Sequence, residues 1–205
     1  MGAGLPRRPV PLQVLQAGRF SAVWRGTLQQ RPVAIKAFAA GGERRFAAER
    51  AVHELPLMEH ENVAKLLGTR AGGPCARGGL LVLQLYPAVS AGMGAHGCGW
   101  GAPQPTPTPP TPPPQGSLQH FLRQHVSPWA GTVRLALSLA RGLAFLHQEL
   151  WRDGLYKPRV VHRDLSSQNV LVREDGTCAI GDFGLAMALP PRAHGGQRGA
   201  ALLRR

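Results

Sequence analysis

The chain has 205 residues, 43% of them hydrophobic, enough for one sizeable core or for one full lobe and part of another. Its formal charge of +13 comes from 24 Lys and Arg against 11 acids, but the basic residues are scattered, with no run of five or six and no RNA- or DNA-binding motif, so no nucleic-acid partner is expected. Cys75, Cys98 and Cys178 stand far apart in an odd number, which argues against a disulfide framework, and no apolar run reaches 18 residues, so this stretch alone is expected to be cytoplasmic and not to span a membrane.

Residues 1–11 read as a tail without a hydrophobic signal core. Residues 12–38 alternate apolar and polar in short runs broken by Gly18, Gly26 and the "QQRP" turn, the pattern of three antiparallel strands. In the third, "VAIK" puts Lys36 and Ala34 on one face and Val33 and Ile35 on the other. Taken alone, that motif reads as an edge strand whose lysine reaches solvent. The next segment, "ERRFAAERAVHEL" at 43–55, is predicted helical and stopped by Pro56, with Glu49 along the same side as apolar Phe46 and Val52. A partly buried carboxylate needs a cation, and Lys36 is the natural one. "NVAKLLGT" and "GLLVLQLY" read as two more strands, the second ending near Tyr86, so residues 12–87 form a small sheet lobe with one helix.

Composition changes abruptly after Pro87. Residues 88–116 hold eight prolines between positions 103 and 114, a segment that cannot build a core and is expected to be extended and disordered. Its P-x-x-P spacings fit a ligand for SH3-like domains, but retained intron sequence is the stronger reading of the insert. Helical signals return at "SLQHFLRQH" and at "GTVRLALSLARGLAFLHQEL", where Arg134, Ser138 and Arg141 make a narrow polar stripe and the rest of the circumference asks for cover. "VLVREDGTCAI" carries Asp175-Gly176 between β-rich runs, a two-residue hairpin signal. Residues 117–189 are thus the start of a helical lobe, and residues 190–205 a Gly-, Arg- and Ala-rich tail.

Moving a phosphoryl group demands positioning and charge neutralisation more than covalent chemistry. In "HRDLSSQN", Asp164 and Asn169 are five residues apart, and Asp182 of "DFG" follows 18 after Asp164 with a hairpin between. That spacing lets Asn169 and Asp182 approach one Mg²⁺, a hard ion that takes oxygen ligands, while Asp164 meets the acceptor hydroxyl. In "LQAGRFSAVW", Gly18 is the middle glycine of the pattern G-x-G-x-x-G, with Gln16 and Ser21 at the outer places.

Gly18, Lys36, Glu49, "HRDLSSQN" and "DFG" together resemble a eukaryotic protein kinase, and "ERAVHELPLMEHENV", "ALSLARGLAFLHQ" and "GLYKPRVVHRDLSSQNVLVREDGTCAIGDFGLAMALP" resemble the type II receptor serine/threonine kinases of the TGF-β superfamily. The resemblance implies an α+β, protein-kinase-like fold: a five-stranded antiparallel N-lobe with one helix, then the start of a helical C-terminal lobe, truncated. It implies ATP and Mg²⁺, a type I receptor kinase as substrate and partner, and a single-pass membrane receptor with its kinase on the cytoplasmic side. A hormone would be met only through an extracellular domain absent from this stretch. By the same resemblance Lys36 holds the α and β phosphates and pairs with Glu49, Asp164 is the catalytic base, and Asn169 and Asp182 are metal ligands. Leu83 is the gatekeeper, the backbone of Gln84 and Tyr86 meets the adenine, and Leu15, Val23, Ala34 and Leu171 sandwich the ring.

Three departures qualify the implication. Ser166 stands where most serine/threonine kinases carry a lysine on the transferred phosphate, which predicts slow chemistry, the loss of about 10² to 10³ in rate. The proline-rich insert follows the hinge directly. Only 21 residues follow Gly184, without an A-P-E motif, so weak activity and an uncovered second helix are expected. Two other readings stay open beside the enzyme: a pseudokinase-like nucleotide-binding fragment, and a scaffold acting through the proline-rich loop.

Overall fold

A two-residue turn begins the architecture. Gln29 and Gln30 both take left-handed backbone (φ 51° and 66°), so β2 (Ser21–Leu28) folds straight back as β3 (Arg31–Phe38), Leu28 opposite Arg31. The computed structural model describes residues 9–72, 77–86 and 116–191; the proline-rich segment at 88–115, the residues after 191, and Cys75 and Cys98 lie outside the described residues. β1 (Val10–Ala17) pairs antiparallel with β2 through two register shifts, and its Pro11 is tolerated because β1 is an edge strand. β5 (Gly79–Gln84) lies against β3 and β4 (Leu66–Arg70) against β5, giving the order β1-β2-β3-β5-β4.

The β4 strand starts later than predicted. Asn62, Val63 and Ala64 are given instead to the C-terminal half: the Ala64 N–H donates to Ile180 O (2.8 Å), the Ile180 N–H to Asn62 O (2.9 Å), and Asn62 Nδ2 to Cys178 O (2.8 Å). This small parallel bridge joins the two halves of the molecule behind the hinge.

The faces of β3 divide as the alternation predicts. Val33 and Ile35 pack with Val82 on one side of the sheet; Ala34, Phe38 and Leu83 pack on the other with Phe46 of α1 (Glu43–His53). Phe46, Glu49 and Val52 are the buried side of that helix.

In the C-terminal half, α2 (Leu118–Gln124) starts at Ser117, whose Oγ accepts from the His120 N–H (3.3 Å). α3 (Trp129–His147) buries Leu135, Ser138, Gly142, Phe145 and Leu146 and leaves Trp129, Val133 and Leu137 exposed. Ser138 is therefore not part of a solvent stripe: it donates to Leu135 O (2.9 Å) and accepts from the Cys178 N–H (2.8 Å), pinning α3 to a strand. At Gly142 an added Cβ would lie 2.6 Å from Asn62 O, so only glycine allows α3 this close to the joining bridge. Lys157, fully buried in β7 (Leu155–Lys157, paired with β6, Leu150–Arg152), donates to the carbonyls of Phe145, Leu146, Gln148 and Pro158 and so ends α3.

After β8 (Val160–Val161) the chain forms the hairpin β9 (Val170–Val172) to β10 (Cys178–Ile180), then β11 (Met187–Ala188), which returns to pair with β8. The 170–180 hairpin closes with three residues, not two. The Gly176 N–H donates to Arg173 O and the Arg173 N–H to Thr177 O, with Gly176 at φ 76° in the left-handed position that follows a type I turn. The central core runs through both halves: Val52 and Met58 meet Phe145, Leu146, Val160, Ile180 and Phe183. Among the described residues no helix is long and apolar enough to cross a membrane.

Candidate active site

A cleft of about 350 Å³ opens between the sheet and the 170–180 hairpin. Its roof is Leu15, Val23 and Ala34; its back edge is Leu83, Gln84 and Tyr86; its floor is Leu171; Lys36, Glu49, Asn169 and Asp182 stand at its inner end. All eleven of these predicted residues line one cavity. Gly18 and Asp164 do not line it: Gly18 sits in the β1–β2 turn, its N–H donating to Ser21 O (2.9 Å), and Asp164 lies beside Asn169 on the open side.

The inner end is an ion cluster. Lys36 Nζ is 2.7 Å from Glu49 Oε2 and 2.8 Å from Asp182 Oδ1. Lys36 and Glu49 are buried, and Glu49 Oε1 has no partner. Burial works against the lysine charge, but Glu49 and Asp182 outweigh it and hold its pKa above the ordinary lysine value. For Glu49 the balance is opposite: burial pushes the carboxyl up to about 7 against the pull of Lys36. Burial also works on Asp182, yet Lys36 prevails and keeps it below the usual carboxylate range. The cluster thus has one firm cation, one firm anion facing the cleft and one acid near neutrality behind them.

Backbone strain marks the neighbouring loops. Arg163 and Asp182 both hold left-handed backbone (φ 63° and 59°), which an arginine and an aspartate adopt only when the surroundings demand it. Around Arg163, its Nε donates to Leu185 O (2.6 Å). His162 supplies the support between the two loops: Nε2–H donates to Gly181 O (2.8 Å), while Nδ1 accepts from the Asp164 N–H (3.3 Å), which fixes the tautomer. Asn169 Nδ2 donates to Asp164 O (2.8 Å) and, at 3.4 Å, to Asp164 Oδ2. That bond leaves Asn169 Oδ1 free to act as a donor atom, and Asp182 Oδ2 is likewise outside the lysine contact. Two hard oxygens on adjacent loops, tied by the Gly181 N–H to Asn169 O bond (2.8 Å), are the donor chemistry Mg²⁺ takes.

At the rear, Tyr86 is held by its hydroxyl, which accepts from the Lys65 N–H (3.2 Å). Gly116 passes so near the Tyr86 carbonyl that a Cβ there would run into it, so the chain returning to α2 closes directly under the hinge.

Ten cavity residues escaped the sequence reading, four of them polar side chains at its mouth or inner end. Ser117, Gln119 and Gln168 form the mouth, with Gln168 Nε2 donating to Gln119 Oε1 (3.1 Å); nothing in their spacing signals that α2 and the catalytic loop meet. His53, one turn after Glu49 on α1, was legible by the same i,i+4 rule. Its ring stands edge-on to Phe183 (5.1 Å), and Phe183 in turn meets His162 (5.2 Å). Its Nε2 is shut from solvent without a partner, and burial, with Lys36 nearby, pushes its pKa down to about 4.

A sheet lobe, a buried lysine–glutamate pair, and Asp164, Asn169 and Asp182 around one cleft define the protein kinase class. The comparisons agree: residues 113–202 match the family model "Protein tyrosine and serine/threonine kinase". The chain is 47% identical, over 88% of its length, to the anti-Muellerian hormone type-2 receptor of Oryctolagus cuniculus and 46% identical, over 87%, to that of Homo sapiens; it is 32% identical, over 86%, to activin receptor type-2A of Homo sapiens. The chain thus has a protein kinase fold and, over most of its own length, is similar to these type-2 receptors. It spans 28%, 27% and 30% of the length of these three relatives.

Proposed function

We propose that this chain is the nucleotide-binding part of a receptor serine/threonine kinase that transfers the γ-phosphate of ATP to Ser or Thr of a type I receptor in TGF-β superfamily signalling. The observation that carries this is the placement of Lys36 within 2.8 Å of both Glu49 and Asp182 at the inner end of a cleft whose other wall holds Asn169.

In this reading the adenine lies between Val23, Ala34 and Leu171, with the backbone of Gln84 and Tyr86 at its edge. Lys36 holds the α and β phosphates; its pairing with Glu49 fixes the ammonium and removes one rotational freedom from the charged group. Asn169 and Asp182 would hold Mg²⁺, which would supply positive charge against the phosphates. Asp164 orients the acceptor hydroxyl and takes its proton, and the Asn169 amide bond to Asp164 sets that carboxylate's direction. The signalling role places the kinase on the cytoplasmic side of a membrane, tethered by a segment outside this chain.

The test is the melting temperature of the whole chain with and without Mg-ATP. Ligand at 100 times its Kd stabilises by about 2.7 kcal/mol, a shift of several degrees. We expect that shift, its loss in Asp182→Ala, and transfer of labelled phosphate to a type I receptor cytoplasmic domain. Absence of any nucleotide-dependent shift would sink the reading.

One observation favours a second reading. Ser166 is exposed in the catalytic loop, its carbonyl accepting from the Asn169 N–H (3.0 Å), and offers no cation where the transferred phosphate would pass. A chain that binds Mg-ATP without turnover would be a nucleotide-binding pseudokinase.

A further inference from the structure

The turn between β1 and β2 is held at two levels. Its base is backbone: besides the Gly18 bond to Ser21, the Ala39 N–H donates to Phe20 O (3.0 Å). Its tip is held by side chains. The Phe20 ring has one guanidinium on it from within the turn, Arg19 at 5.2 Å from the centroid, and a second from α1, Arg45 at 4.6 Å. Arg45 precedes Glu49 by four residues, so both project from one side of the helix. The geometry at Gly184 shows where that side faces: an added Cβ there would sit 3.5 Å from Arg45 Cβ and 3.6 Å from Glu49 Oε2.

One turn of α1 therefore grips two structures at once. Through Glu49 it holds Lys36, and through Arg45 it holds the β1–β2 turn, which continues directly from Gln16 and Ala17 in the cleft wall. We infer that Arg45 is a positioning residue: its guanidinium clasps Phe20 and keeps the β1–β2 turn over the phosphates, so the placement of α1 sets both the phosphate lysine and the phosphate cover. The inference rests on the nucleotide reading proposed above. It separates the ends of the cleft. Val23, Ala34 and Leu171 grip adenine whether or not the clasp is closed, whereas phosphates depend on the cover.

The experiment measures Kd for Mg-ATP and for adenosine with the whole chain and with Arg45→Gln, Phe20→Leu, their double variant and Arg45→Lys. Each of the first two should weaken Mg-ATP about two- to five-fold, the size of an exposed cation–π contact, and leave adenosine unchanged. Because Phe20→Leu already removes the Arg45 contact, the double variant should be no weaker than Phe20→Leu alone, and Arg45→Lys should restore most of the affinity. Phe20→Leu keeps both positive charges, so its effect distinguishes positioning from direct attraction of phosphate. Additive losses, or equal losses for adenosine and Mg-ATP, overturn the inference. Hydrogen exchange on the nucleotide-free chain tests the clasp independently: Arg45→Gln and Phe20→Leu should each speed exchange of the Gly18 and Ala39 amides, and unchanged exchange overturns it. Should the unmodified chain bind neither nucleotide, the nucleotide reading fails while the exchange data still decide the clasp.

Discussion

Two buried lysines, one in each half of the molecule, have opposite surroundings. Lys36 in the sheet lobe faces two carboxylates, and these more than offset its burial. Lys157 in the helical half faces four main-chain carbonyls and no carboxylate among its hydrogen-bond partners, and burial lowers its pKa to about 8. Carbonyl dipoles are fixed by the fold and cannot follow a departing charge, so Lys157 serves the end of α3 and little else. Carboxylates titrate and can exchange partners, so the Lys36 cluster can accept phosphate in place of Asp182. A buried cation is thus a structural cap or a working site according to whether its partners are bound into the backbone or free to change.

Lys157→Met should give the larger effect. It strips the last carbonyls of α3 of their donor inside the core, a loss of about 3–5 kcal/mol in stability by analogy with removing one partner of a buried charge pair, read from denaturant unfolding. Whatever fraction stays folded should bind Mg-ATP with unchanged Kd. Lys36→Met should invert the pattern: Mg-ATP affinity falls about 100-fold, or ~2.7 kcal/mol, while stability changes by less than about 1 kcal/mol. The fold tolerates it because Glu49, with a pKa already near 7, takes a proton once its cation is gone. Equal effects of the two substitutions on stability would erase the distinction between cap and site.

The difference also explains what the sequence disclosed. Lys36, Glu49, Asn169 and Asp182 were legible because each sits at a fixed period on one element or at a fixed loop spacing, and charge pairing then chose the partners. Lys157 carried no such mark, since its partners are backbone groups that every residue possesses. The same reason hid Ser138, which looked like a surface serine until the Cys178 N–H supplied its bond. Residues 62–64 looked like strand because they are strand-like, but they pair with Ile180 across the molecule rather than within the sheet, a long-range choice no local pattern reveals. The hairpin at 173–177 had the right glycine and the wrong loop length. Asp175 makes an additional bond, accepting from the Thr177 N–H (2.9 Å), which favours the longer turn.

The smallest predicted effect concerns His53, a third buried cationic candidate that stays neutral. Its pKa is about 4 in the folded chain against an ordinary 6.5, so the unfolded chain binds more protons between those values and stability rises with pH across that window. The full shift corresponds to about 3 kcal/mol, and the partly accessible ring reduces this to roughly 1–2 kcal/mol. Glu49 acts in the opposite sense: its folded pKa is raised from 4.5 to about 7, the folded chain binds more protons there, and stability falls as pH rises through that range. The two slopes overlap between pH 4.5 and 6.5 and offset each other, so unfolding free energy should be nearly flat there in the unmodified chain. In His53→Leu the rising contribution is gone, and stability should decline steadily from pH 4.5 to 7. Urea unfolding at half-unit pH steps measures this; a variant profile parallel to that of the unmodified chain would show that folding leaves the histidine's proton affinity unchanged, so that burial does not hold the ring neutral.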